Sequence, residues 1–194
     1  MCGRYYLNTN LEDILSRYNI KEDEIKFSSK EEIFPSEECP IVLKDNKNKL
    51  KMFKWGFKPH YGKGLIINAR SETVDKKPTF RESFYKRRCI IPAKGFFEWE
   101  KKGKDKIKHT IYLENEDIFS LAGIYDTFQD EEGRVFYAFT ILTTVPNNEM
   151  MKIHNRMPVI IKREHEDFWL DNNENNIGRL KLLFKPYKEK MIIE

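Results

Sequence analysis

The chain is a succession of short apolar runs, rich in aromatic and β-branched residues, each closed by polar or turn-forming positions. Such runs read as strands over Gly3–Leu7, Cys39–Lys44, Leu50–Phe57, Leu65–Ala69, Cys89–Trp99, His109–Leu113, Ile118–Tyr125, Val135–Thr143 and Met157–Ile161. Asp45-Asn46-Lys47-Asn48 and Glu131-Glu132-Gly133 read as hairpin connections. Helical spacing is rarer: Leu11–Tyr18 behind an Asn10 cap, Thr79–Lys86, Asn147–His154, Glu164–Leu170 and Ile177–Phe184. Strands outnumber helices and do not alternate with them regularly. The expected fold class is therefore α+β, a largely antiparallel or mixed β-sheet curling into a barrel-like core with peripheral helices. No repeat, low-complexity linker or compositional break divides the chain, so a single domain over 1–194 is expected, with Lys101–Lys108 as a flexible basic hairpin tip.

Composition narrows the class. With 40% hydrophobic and 13% aromatic residues in 194, the chain can bury a sizeable core and is unlike a disordered one. No run approaches the roughly 18 consecutive apolar residues of a membrane helix, and the N-terminus lacks the charged-then-apolar pattern of a secretion signal. A cytoplasmic, nucleoid-associated protein without a membrane partner is the expectation. Cys2, Cys39 and Cys89 are odd in number and widely scattered, so neither a disulfide framework nor a metal site is expected, and Cys39 and Cys89 read as small buried hydrophobes. No cofactor is called for, and a monomer is expected.

The net charge of +4 hides a partition: residues 1–40 hold 5 basic and 9 acidic side chains, 41–108 hold 20 and 7, and 109–194 hold 10 and 15. A solvated lysine face accounts for such a central segment in many proteins. Here, however, the cations are interleaved with Phe53, Trp55, Phe57, Tyr61, Phe80, Phe84, Tyr85, Phe96, Phe97 and Trp99. Cations for phosphates and flat rings for unstacked bases are the two needs of a single-stranded nucleic-acid groove.

Four places can carry chemistry. Removal of Met1 would leave Cys2 as a 1,2-aminothiol, whose amine and thiol both titrate near enough to neutrality to react. It could attack an acyl carbon, or close a five-membered thiazolidine on an aldehyde, a ring closure favoured by proximity. Asn68 and Arg70 stand two apart at the end of an apolar strand and so share a face, with Ser71 able to cap the turn that follows. Glu98 sits among aromatics, where a carboxylate suits general acid–base work, whereas Glu100 reads as a surface group. His154, at a helix-to-strand junction two residues before Arg156, fits a buried hydrogen-bonding role as well as a catalytic one. His60, His109 and His165 read as structural or surface residues.

Several blocks in order carry a resemblance: Met1-Cys2-Gly3-Arg4-Tyr5, Trp55-Gly56-Phe57-x-Pro59, Ile67-Asn68-Ala69-Arg70-Ser71-Glu72-Thr73, Arg87 through Trp99, Ala122-Gly123-Ile124, Phe139 through Thr144, and Ile153 through Val159. Each is weak alone. Together, over about residues 1–170, the chain resembles the SRAP (SOS response-associated peptidase) family in its bacterial, YedK-type members. The resemblance implies a protein that crosslinks to abasic sites in single-stranded DNA through Cys2, with possible lyase and autopeptidase activity. It implies Asn68 orienting the linkage, Glu98 shuttling protons and His154 acting on the sugar oxygen. It further implies a DNA-contacting set of Arg4, Trp55, Gly56, Tyr61, Arg70, Ser71, Glu72, Thr73, Thr143 and Arg156, of which Arg4, Arg70, Thr143 and Arg156 would hold phosphates. Tyr61 stands where the family usually has tryptophan, and Glu31-Glu32-Ile33-Phe34-Pro35 departs from the family pattern. Two other classes remain open: an N-terminal cysteine amidohydrolase, which begins Met-Cys-Gly but needs an Asn-Gly pair absent here, and a non-catalytic single-strand-binding module.

Overall fold

In the computed structural model, which describes residues 2–21, 25–59 and 64–194, the apolar runs form two sheets. The smaller holds β1 (Arg4–Leu7), β2 (Lys30–Ile33), β7 (Gly95–Lys102), β8 (Asp105–Leu113) and β13 (Met191–Ile193) in the order β13-β8-β7-β1-β2, all antiparallel. The larger contains β3 (Glu38–Asp45), β4 (Lys47–Trp55), β5 (Asn68–Arg70), β6 (Arg88–Ala93), β9 (Phe119–Gln129), β10 (Val135–Thr144), β11 (Met157–Pro158) and β12 (Ile160–Ile161). Within it β10 pairs with both β4 and β9, β4 with β3, β3 with β6, and β6 with β9, so these five strands close on themselves as a ring. The β10–β4 and β10–β5 pairings are parallel and the others antiparallel. Buried residues of both sheets form one contiguous core, and the chain is a single α+β domain with few helices.

Local chemistry explains the helices. α1 (Leu11–Arg17) starts at Asn10, whose Oδ1 accepts the Asp13 N–H at 2.8 Å, with Glu12 and Asp13 in the first turn. α2 (Pro78–Lys86) has proline in its first turn and buries Phe80, Ser83 and Phe84. α3 (Glu166–Leu170) and α4 (Ile177–Leu182) are short, and Asn176 caps the latter through the Arg179 N–H. No helix among the described residues is long and apolar enough to cross a membrane.

Several boundaries differ from the sequence reading. Cys89–Trp99 is not one strand: β6 and β7 belong to different sheets and only Lys94 separates them. Met157–Ile161 likewise divides, β11 pairing with β10 and β12 with β9. Residues 147–154 hold only a 3₁₀ turn at Met150–Lys152, and β5 begins at Asn68, leaving a single Phe57–Ile66 bridge before it. Lys101–Lys108 is mostly strand, closed at Gly103 with φ of 63°. β2 has one apolar residue in four and β13 is only three residues long, so neither announces itself.

Candidate active site

The N-terminal strand β1 is held on both sides, by β7 and by β2, which restrains Cys2 two residues before it. Cys2 is wholly buried; its carbonyl accepts a hydrogen bond from Asn68 Nδ2 at 3.0 Å, and its Sγ lies 3.7 Å from the Arg4 carbonyl. Burial pushes the Cys2 thiol pKa well above its ordinary value, and the nearby charge of Glu98 pushes it further. Glu98 is itself only 2% exposed. Three of the four chemical candidates therefore meet: thiol, amide and carboxylate.

Asn68 reaches Cys2 because β5 lies parallel to β10, with Asn68 opposite Ile141 and Arg70 opposite Thr143. Its Oδ1 is buried and has no hydrogen-bond partner among the described residues. Trp55 secures the approach to it: the indole N–H donates to the Ile67 carbonyl at 3.0 Å, and the ring packs edge-on against Tyr5 at 5.2 Å. Trp55 thus braces β1, the strand that follows Cys2, through Tyr5, a support that sequence reasoning missed because an inward tyrosine looks like any core residue. Gly56, with φ of 118°, turns the chain there; a Cβ would sit 2.9 Å from Leu65 Cβ.

A second group lies two residues further along β10, about 7 Å away at strand spacing. Arg156 forks onto Glu72 at 2.5 and 2.9 Å and also donates to the Thr143 carbonyl at 2.6 Å. This pairing holds the Glu72 carboxyl below its ordinary pKa. The Arg156 backbone N–H donates to His154 Nδ1 at 3.1 Å, so neutral His154 carries its proton on Nε2. Half-buried His154 is also tied to the preceding turn through its N–H and the Met150 carbonyl, at 2.8 Å.

The DNA-contacting set divides. Arg70 is exposed, with no ion pair among the described residues. Arg4 lies 3.9 Å from the Phe34 ring centroid, with its Nε 3.4 Å from Glu32. Thr73 is half-buried, its N–H donating to the Arg70 carbonyl at 3.1 Å in the turn after β5. Trp55 and Thr143 are corrections: both side chains are fully buried, so Trp55 braces the site from within and Thr143 offers its carbonyl to Arg156. Ser71 is also buried, its N–H donating to the Thr143 carbonyl at 2.9 Å. Tyr61, His60 and Met1 lie outside the described residues. The aromatics of the basic segment are mostly core: Phe53, Phe57, Phe80, Phe84, Phe96 and Phe97 are buried, and only Tyr85 and Trp99 are half-exposed. Strand alternation and helix packing take flat rings inward while lysines stay outside. All three cysteines are free and buried, and no group of metal-ligating side chains occurs among the described residues.

The family model of the SOS response associated peptidase, SRAP, matches residues 1–194. The chain belongs to the SRAP family. The abasic site processing protein YoqW of Bacillus subtilis is 37% identical over 196 residues, covering 96% of this chain and 88% of its own length. The chicken (Gallus gallus) abasic site processing protein HMCES is 27% identical over 190 residues, covering 78% of this chain and 56% of its own. A crystal structure of a Bacteroides thetaiotaomicron protein superposes with a TM-score of 0.86 at 30% identity, covering 99% of this chain and 90% of that one. The match extends past the sequence blocks, through α4 and β13 to the C-terminus.

Proposed function

We propose that this SRAP protein processes abasic sites by capturing them covalently, in single-stranded DNA, through Cys2 once Met1 has been removed. The relatives named abasic site processing proteins support the lesion class. The observation that carries the chemistry is the Asn68 hydrogen bond to a buried Cys2 whose thiol feels the Glu98 charge.

The free Cys2 amine adds to the aldehyde of the ring-opened sugar, and the carbinolamine loses water to give an imine. The thiol then adds across the C=N bond: sulfur bonds to the carbon, its proton passes to nitrogen, and a thiazolidine closes with one water released overall. Expelling water needs a proton at the departing hydroxyl, and the role of Glu98 is to take one from the attacking amine nitrogen and pass it there. His154, whose Nδ1 accepts the Arg156 N–H, serves the sugar oxygen, and Asn68 orients the linkage. Because the thiolate is the nucleophile, the raised thiol pKa means that the proton has to leave sulfur as it attacks, and it ends on the imine nitrogen. Removal of Met1 by the chain itself would be the peptidase activity of the family name, and hydrolysis of the imine would reverse the capture.

The test is a single-stranded oligonucleotide with one abasic site, incubated with protein whose Met1 has been removed and run on a denaturing gel. Wild type should give an adduct, Cys2→Ala none, and Glu98→Gln slower formation with nearly unchanged affinity for intact strands. No wild-type adduct, or an equal one from Cys2→Ala, overturns the proposal. Glutamine hydrolysis would then indicate the amidohydrolase, and salt-sensitive binding alone the binding module.

A further inference from the structure

The hairpin of β7 and β8 outruns its neighbours. β1 pairs with β7 only at residues 95–97 and β13 with β8 only at 111–113, so the outer half is a two-stranded ribbon. Its two faces differ in charge. The register sets Trp99 opposite Lys108 and Lys101 opposite Lys106 on one face, continuing the Arg4–Phe97 pair. Glu98, Glu100 and Asp105 fall on the other, where Glu100 takes up His109 at 3.1 Å and Lys102, opposite Asp105, lies 3.6 Å from Glu100.

The root of the cationic face is already neutralised, since Glu32 lies 3.4 Å from Arg4 and 2.8 Å from Lys108. The tip is not: exposed Lys101, Lys104 and Lys106 have no carboxylate within ion-pair distance among the described residues. Like charges directly opposite one another destabilise a hairpin, so the Lys101–Lys106 pair is a cost that folding alone does not explain. Half-exposed Trp99 lies between root and tip, with the Lys108 ammonium 5.9 Å from its ring centroid. A row of unneutralised cations leading away from a flat ring complements a single-stranded polyanion.

We propose that this ribbon face is a phosphate-binding arm that carries the strand flanking the captured nucleotide away from Cys2. The inference rests on the single-stranded DNA reading above. Trp99 offers a surface for one base, and the three tip lysines hold successive phosphates. The competing use of these lysines, blunting an exposed strand edge against aggregation, needs no ligand.

The full chain carrying Lys101→Gln, Lys104→Gln and Lys106→Gln separates the two by fluorescence anisotropy with intact strands of about 6 and about 20 nucleotides over a range of salt. On the long strand the variant should bind about tenfold more weakly or worse, and its log Kd against log salt slope should fall by about 2, three contacts at about 0.7 each. The short strand should bind as to wild type, and the triple Lys→Arg variant should keep the wild-type slope. Equal slopes for wild type and the Gln variant on the long strand overturn the arm. Melting curves exclude an unfolded hairpin, because removing like charges should leave the melting temperature unchanged or higher. Loss of the slope with no abasic adduct from wild type would uphold the arm and sink the covalent capture instead.

Discussion

Replacing Arg88 with methionine should lower stability by about 3–4 kcal/mol, because this side chain is a buried cation surrounded by backbone. Arg88 is fully buried and makes no hydrogen bond to a carboxylate among the described residues; Nε donates to the Trp169 carbonyl at 2.8 Å and Nη1 to those of Phe84 and Tyr85 at 2.8 and 3.2 Å. Nη2 donates to the carbonyls of Glu174, at 3.2 Å, and Asp171. One guanidinium thus closes the ends of α2 and α3 and ties the segment after α3 to the ring. Methionine fills similar space but orphans five carbonyls at about 1–3 kcal/mol each, offset by water reaching some of them and by no longer burying a charge. For a chain of this size the net loss lowers the melting temperature by about 10 °C, measurable by circular dichroism. Lysine should rescue little, having one nitrogen where the site needs a fork. Burial pushes the Arg88 pKa down to about 10, with Asp171 and Glu174 opposing, so the group stays charged and the loss should be flat from pH 6 to pH 8. A methionine variant melting within about 2 °C of wild type would refute the reasoning.

Two further perturbations probe the interior. Burial raises the pKa of all three thiols, Cys39 to about 12, so alkylation of the native Met1-bearing chain should be slow at pH 8 and still climbing at pH 10, with all three labelled in denaturant. Because the folded values exceed the unfolded ones, these groups favour the fold below pH 9 and lose that contribution as pH rises further; one thiol labelled rapidly at pH 8 would contradict this. Gly123→Ala would place a Cβ 2.2 Å from Ile91 Cδ1 and 3.0 Å from Cys89 Sγ, costing about 1–3 kcal/mol in thermal melts. Adding Ile91→Val, which removes that Cδ1, should recover much of the loss; no recovery would mean the clash is not the cause.

Apolar runs and caps made most of the strand positions and α1 legible, because burial on one face leaves a period and Asn10 leaves a signature. They could not show where β6 ends, since Arg88–Ala93 is buried at every position and a continuous run carries no mark of a change of sheet. The site was legible as residue types: Cys2, Asn68 and Glu98 were singled out for their chemistry and do meet. Its supports were not. Trp55 acts through the Ile67 carbonyl, and Arg156 through Glu72, 84 residues earlier, contacts that depend on β5 and β10 lying side by side. The basic segment misled in one respect, since proximity in sequence of rings and lysines does not place them on one surface.

The change of sheet at Lys94 has a mechanical consequence. β6 is an interior member of the ring and β7 an interior member of the smaller sheet, and one residue joins them. Neither sheet can peel away without dragging the other's central strand, so the two should open as one cooperative unit. The strand bearing Glu98 is anchored by that shared splice, and β1, which follows Cys2, is in turn paired to it along Arg4–Tyr6, so both sides of the candidate site share one anchor.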